Sequence, residues 1–100
     1  MFQKNLKVGD IIIRIRYDHT IAPIEDCIRE QDPDNKDYLI YRYVATITSF
    51  GIDYIHALPL LKKDKGEGVT LYYIEFKKST EVIRLATEQE IEEWKLFVGL

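Results

Sequence analysis

The feature that most constrains this chain is a two-residue alternation of side chains that returns along the sequence with no helical segment between its returns. Residues 8–17 read VGDIIIRIRY, with Ile11, Ile13, Ile15 and Tyr17 on one face and Ile12, Arg14 and Arg16 on the other. Period two over that length marks a half-buried β-strand. On this pattern the isoleucine-rich face turns to the core, and Arg14 and Arg16 project into solvent or toward a partner. Gly9-Asp10 suits the turn that launches the strand.

Residues 38–49 (YLIYRYVATITS) alternate again, with Leu39, Tyr41, Tyr43, Ala45 and Ile47 opposite Tyr38, Ile40, Arg42, Val44, Thr46 and Thr48. Both faces are largely apolar or β-branched, so this strand is expected to lie centrally and to bend across the core. Phe50-Gly51-Ile52-Asp53 reads as a short reversal in which Gly51 is free to take positive φ, with residues 54–61 returning as the hairpin partner. Pro59 closes the regular part of that strand or sits at its edge. His56 alternates there with Tyr54 and Leu58 and is expected to be a partly buried, hydrogen-bonded side chain. Residues 62–68 (KKDKGEG) form a polar turn, residues 69–76 (VTLYYIEF) a fourth strand, residues 77–80 a tight turn and residues 81–86 a fifth strand. Five strands joined by turns describe an antiparallel meander, because a parallel sheet needs crossovers that this chain lacks.

The pattern changes at Thr87-Glu88-Gln89-Glu90, a capping box that starts a helix over about residues 88–98. Ile91, Trp94 and Val98 recur at helical spacing, with Leu96 and Phe97 beside them and Glu92, Glu93 and Lys95 toward water. Trp94 is expected to plug one open end of the sheet or barrel. The whole forms a single domain of residues 1–100.

Between the first two strands lies an acidic, proline-bounded insertion, residues 18–37 (DHTIAPIEDCIREQDPDNKD). Seven carboxylates (Asp18, Glu25, Asp26, Glu30, Asp32, Asp34, Asp37) stand there against Arg29 and Lys36, a local charge of −5 where the whole chain carries −3. Residues 1–17 carry +3, residues 38–87 carry +2 and residues 88–100 carry −3, so the strands are mildly basic while the insertion and helix are acidic. A long loop in a small domain is usually functional or disordered. Ile21, Ile24, Cys27 and Ile28 are expected to anchor it to the sheet, Ile24 and Ile28 matching one turn of a short helix.

Signatures of hydrolytic, nucleotide-binding and redox enzymes are missing: there is no Gly-x-Ser-x-Gly, no Gly-x-x-x-x-Gly-Lys and no Gly-x-Gly-x-x-Gly after a strand. One cysteine with His19 and His56 falls short of a zinc site in count and spacing. Residues 32–37 are oxygen-rich, yet Asp32, Asp34 and Asp37 do not follow a calcium-loop spacing and no glycine supplies its turn. Cys27, His19 and Asp26 could form a thiol centre, but Glu25, Asp26 and Glu30 would raise the thiol pKa and disfavour thiolate. The chain is therefore read as non-enzymatic, with no cofactor and no metal. No apolar run approaches the roughly 20 residues that span a bilayer. The single cysteine and the absence of an apolar stretch behind Lys4 and Lys7 fit a cytoplasmic location.

The order of strand, long loop, three strands, last short strand and terminal helix resembles the SH3-like small barrel over residues 6–86, beginning at LKVGDIIIRI. In SH3 domains the long first loop is acidic and, with aromatic residues, binds proline-rich or basic peptides. That resemblance implies a partner surface at the insertion with Tyr17, Tyr38 and Tyr54. The Ala-Leu-Tyr-Asp-Tyr signature is absent, Arg16-Tyr17-Asp18 being a faint echo, and no tryptophan pair follows the second strand. Residues 83–91 (IRLATEQEI) are similar to the ending of small uncharacterised bacterial and prophage proteins, which implies no activity. A five-stranded OB-type barrel is the alternative fold, and it would need a helix where residues 62–68 leave no room for one.

The expected molecule is thus mainly β, a five-stranded antiparallel SH3-like barrel or curved sheet, acting as an interaction module. Its partner is a protein or peptide with a basic surface, met by Tyr17, Asp18, Glu25, Asp26, Glu30, Asp32, Asp34, Tyr38 and Tyr54. The alternative is single-stranded nucleic acid held by Arg14, Arg16, Arg42, Lys62, Lys63, Lys77 and Lys78. The pI near 5.4 argues against that alternative. An exposed edge at residues 69–76 would allow a homodimer.

Overall fold

In a computed structural model, described for residues 3, 5–19, 27–52, 54–60, 69–72 and 82–99 and for the backbone alone at residues 18, 19 and 69–72, the alternating segments form one antiparallel sheet. Its strands are β1 (Ile11–His19), β2 (Ile28–Gln31), β3 (Tyr38–Phe50), β4 (Tyr54–Pro59), β5 (Val69–Tyr72) and β6 (Val82–Leu85), followed by helix α1 (Glu88–Phe97). Five strands run in the order β5-β4-β3-β1-β6, and β2 pairs with β3 beside that path. The path is not closed: among the described residues β5 and β6, its two ends, do not pair. Residues 73–76 of the expected fourth strand lie outside the described residues.

The long strand β3 is central, as its two apolar faces require. β1 pairs with it from His19↔Tyr38 to Ile11↔Thr46, and β4 takes over on the other side from Ala45↔Pro59 to Phe50↔Ile55. The register slips between Ile47 and Ser49, where the Thr48 hydroxyl donates to the His56 carbonyl at 3.0 Å. A bulge of this kind adds local twist and bends the strand. Both faces of β3 are covered in its middle, with Tyr43, Val44 and Ala45 all buried.

The expectation for β1 holds for Ile13, which is buried, and for Arg16, which is exposed, and is corrected for Arg14. Ile12 is wholly buried and Arg14 is 6% exposed, whereas Ile11 and Ile15 are half-buried and Tyr17 is exposed. Cross-strand partners share a face, so Ile12 lies with Ala45 and Arg14 with Tyr43 and Ile83. Arg14 Nη1 donates to the Tyr43 hydroxyl at 2.9 Å, with its guanidinium carbon 5.6 Å from that ring's centroid. A long arginine stem with an aromatic partner for its head can lie in a core face that a shorter charged side chain could not occupy. Ile13 is buried as well, so β1, wedged between β3 and β6, is covered on both faces.

The turn before β1 forms at Gly9, whose φ of 94° is a conformation that glycine adopts readily. Its amide donates to the Ile47 carbonyl at 2.8 Å, which ties the turn to β3. At the β3–β4 reversal the reason for glycine differs from expectation. Gly51 is not among the positive-φ residues, and what it provides is room: a Cβ there would run into the Tyr54 ring.

The helix starts as its sequence dictates. Thr87 Oγ1 accepts from the Glu90 amide at 3.2 Å, and Glu90 Oε1 accepts from the Thr87 amide at 2.9 Å. Glu90 also receives both arms of the Arg84 guanidinium, at 2.7 and 2.8 Å, so one carboxylate caps the helix and pins it to β6. Trp94 is fully buried and its Nε1–H donates to the Leu60 carbonyl at 2.6 Å, while the Leu60 amide donates to Val44. Ile91 and Val98 pack against the core, and Leu96 is 75% exposed.

Two outcomes follow. The Arg84 hydrogen bonds outweigh the partial burial of Glu90 and, with the Thr87 amide, hold its carboxyl below the ordinary value of 4.5. A depressed carboxyl pKa stabilises the folded state above the unfolded-state pKa, and that stabilisation is lost as pH falls through the lower folded value. Glu90→Gln should therefore cost about 1–3 kcal/mol at pH 7, and the gap from wild type should close in acid, read by denaturant melts along a pH series. Gly51→Ala should cost about 1–3 kcal/mol through overpacking, and adding Tyr54→Ala should make the double variant less unstable than the sum of the two singles.

Candidate functional site

The acidic insertion is built into the sheet at both of its ends. β1 runs on through Asp18 to His19, and Ile28 opens β2, so Ile28 belongs to a strand where a short helix was expected. Ile21, Ile24, Glu25 and Asp26 lie outside the described residues. β2 pairs antiparallel with β3 from Ile28↔Arg42 to Gln31↔Leu39, on the side of β3 away from β1. Residues 39–42 of β3 therefore have strand partners on both sides.

The turn that joins β2 to β3 is held by its own side chains. Asp32 Oδ1 accepts from the Asp34 amide at 2.8 Å and Asn35 Oδ1 from the Asp37 amide at 3.0 Å, two Asx turns in succession. The Gln31 side-chain amide reaches the carbonyls of Asn35, Lys36 and Tyr38 at 3.2, 3.0 and 2.9 Å. The oxygen-rich run is thus a braced hairpin turn, with Asp32 and Asn35 turned inward on their own backbone and Asp34 and Asp37 exposed. Among the described residues no three His, Cys, Asp or Glu side chains are grouped to hold a metal ion.

Register brings some of the expected partner-binding residues together and separates others. Tyr17, Ile40 and Glu30 lie in one row across β1, β3 and β2, with Tyr38 at the adjacent end of β3. The neighbouring row on that face is Ile15, Arg42 and Ile28. Tyr54 sits at the far end of β3, beside the Phe50↔Ile55 pair, and does not join them. Asp18 stands in β1 opposite Leu39.

Of the alternative basic residues, Arg14 is buried against Tyr43, contrary to the expectation that it projects outward. Arg42 is tied on two sides, by Glu30 at 3.2 Å and by Glu93 of α1 at 3.6 Å. Its Nε is buried with no hydrogen-bond partner, so the guanidinium is held by its outer nitrogens alone. Arg16 is exposed on β1, and Lys62, Lys63, Lys77 and Lys78 lie outside the described residues. Tyr41 and Tyr43, on either side of Arg42 in sequence, are only 7% and 6% exposed and offer no ring face to a base, whereas Tyr17 beside Arg16 is 37% exposed.

A shallow groove opens between β2 and α1, lined by Cys27, Ile28, Arg29, Glu93, Leu96 and Phe97. The sequence pattern did not single it out. One signal was available, since Leu96 falls off the Ile91, Trp94 and Val98 stripe of a helix with 3.6 residues per turn. Cys27 forms part of the buried core, and Ile28 packs against it. Comparison with models of known protein families, with curated proteins and with solved structures finds no match for this chain.

Burial of Cys27 sets an expected outcome. Iodoacetamide should alkylate the native thiol more slowly than free cysteine at neutral pH, with the rate rising when denaturant opens the sheet. A native thiol faster than free cysteine would restore the catalytic reading.

Proposed function

We propose that this chain is a small non-enzymatic interaction module that binds a protein or peptide with a basic surface through the β2–β3 hairpin and the tyrosines beside it. The observation that carries the reading is the braced hairpin, which presents Asp34 and Asp37 on a fixed backbone beside an exposed strand. Pre-ordered carboxylates lose little freedom on meeting a cation. They also steer a basic partner from a distance, an effect that salt weakens.

Nucleic-acid binding along the basic strands is the weaker reading. Arg14 and Arg42 are engaged within the fold, and Tyr41 and Tyr43 are buried. The scaffold is read as an SH3-like barrel because one bent strand, β3, is shared between β1 and β4, and the last strand returns to the first. A lone, buried thiol suits a reducing cytoplasm.

Fluorescence anisotropy with a lysine-rich decapeptide and with a single-stranded oligonucleotide, both at low salt, separates the two readings. The peptide should bind, lose affinity as salt rises, and bind about tenfold more weakly to the Asp34→Lys, Asp37→Lys variant. Oligonucleotide binding without peptide binding would overturn the proposal.

A further inference from the structure

β2 is hydrogen-bonded to β3 along one side, and among the described residues no strand lies along its other side. A strand edge leaves backbone amides and carbonyls unpaired, and these can receive an added strand. The outer side of β6 is treated differently. There the Gln3 amide donates to the Ile83 carbonyl and its side-chain oxygen accepts from the Leu85 amide, each at 2.9 Å. β2 carries no such cover among the described residues, and Arg29, Glu30 and Gln31 are exposed.

The surroundings of this edge are both apolar and acidic. Ile28 and Glu30 alternate onto the face that carries Arg42, the face on which α1 packs. Beside Ile28 the groove is walled by Leu96, 75% exposed, and Phe97, 42% exposed. Beside Glu30 two carboxylates, Glu30 and Glu93, share the single cation of Arg42, with 51% and 43% of their side chains exposed. That trio keeps one negative charge in excess, and the Arg29 cation also lines the groove.

We propose that β2 accepts an extended peptide as an added strand, seating an apolar side chain against Ile28, Leu96 and Phe97 and a lysine or arginine two residues away against Glu30. The inference rests on the acidic-hairpin reading and goes beyond it by assigning backbone addition and an apolar-x-basic spacing. The spacing follows from geometry, because side chains two apart on a strand share a face. A second copy of this chain is the poorer occupant. Four carboxylates against Arg29 and Lys36 leave residues 28–37 at −2, so two such segments brought together repel through their net charge.

The test uses the full chain, labelled with ¹⁵N, and the probe acetyl-VTKTVTKT-amide, whose valines and lysines share one face when extended. Titration should shift the backbone amides of residues 28–31. Alternate residues of an added strand point their amides toward β2, so N-methylating one alternate set should weaken binding about tenfold or more while methylating the other set leaves it unchanged. Leu96→Ser should weaken the probe with little change in melting temperature, since that side chain is exposed. Equal binding of both methylated probes overturns strand addition and leaves the acidic-hairpin reading standing, provided that the glutamate-for-lysine probe fails to bind. If the glutamate probe binds as well as the parent, both readings fall. Absence of any binding overturns strand addition, and the lysine-rich decapeptide then decides the hairpin reading alone. Concentration-dependent dimerisation that shifts the same amides without peptide would assign the edge to a second copy.

Discussion

Backbone pairing along both sides of β3 is the constraint from which the rest of the molecule follows. β1 occupies one side of it from residue 38 to 46, while β2 and then β4 occupy the other, and among the described residues β5 attaches through β4 and β6 through β1. Where it has neighbours on both sides, through residues 39–46, such a strand gives little backbone to solvent, and both of its faces must be covered there. That demand explains the tyrosine, isoleucine, valine and alanine content of residues 41–47. It also explains the bulge after Ile47, since a straight strand of 13 residues could not keep β1 and β4 around one core. Trp94 joins the helix to the same ladder, its indole bonded to the carbonyl of Leu60, whose amide is bonded to Val44.

Attachment of α1 relies on arginines as well as on tryptophan. Arg84 reaches the capping glutamate Glu90, and Arg42 reaches Glu93. The consequence for function is indirect: Arg42, one of the cations that the sequence offers to a nucleic acid, is engaged in holding an acidic helix against the sheet. Arg14 is withdrawn in another way, into the face that carries Tyr43. Around the β2–β3 hairpin the carboxylates of Glu30, Asp34 and Asp37 are exposed beside the cations of Arg29 and Lys36.

Local patterns were legible in the sequence and long-range partners were not. The strand alternation and the Thr87-to-Glu90 box are written within a few residues, and they form where they were expected. The burial of Arg14 on the second face of β1 was missed because an arginine in an alternating strand ordinarily marks the solvent side. What reverses that rule is Tyr43, 29 residues away, whose hydroxyl and ring receive the guanidinium. β2 has only four residues and no apolar alternation of its own, and it exists through its register with β3 and the Gln31 amide. Gly51 shows a related limit, since a glycine kept for room under a ring looks in sequence like one kept for a turn.

The acidic insertion separates on physical grounds into residues that folding explains and residues that it does not. Asp32 and Asn35 are required by the turn, because each supplies the oxygen of an Asx bond, and Gln31 is required because its amide gathers the carbonyls. Glu30 answers Arg42. The carboxylates of Asp34 and Asp37 take no part in holding the turn, whose bonds use only their backbone amides. Leu96 stands in the same position on the helix, an apolar side chain exposed to water although the helix stripe is already complete without it. Surplus charge on the hairpin and surplus apolar surface across the groove flank the same side of β2, along which no strand lies among the described residues. A surface that combines the two suits a ligand offering cations and an apolar side chain on one extended backbone, which folding of this chain alone does not supply.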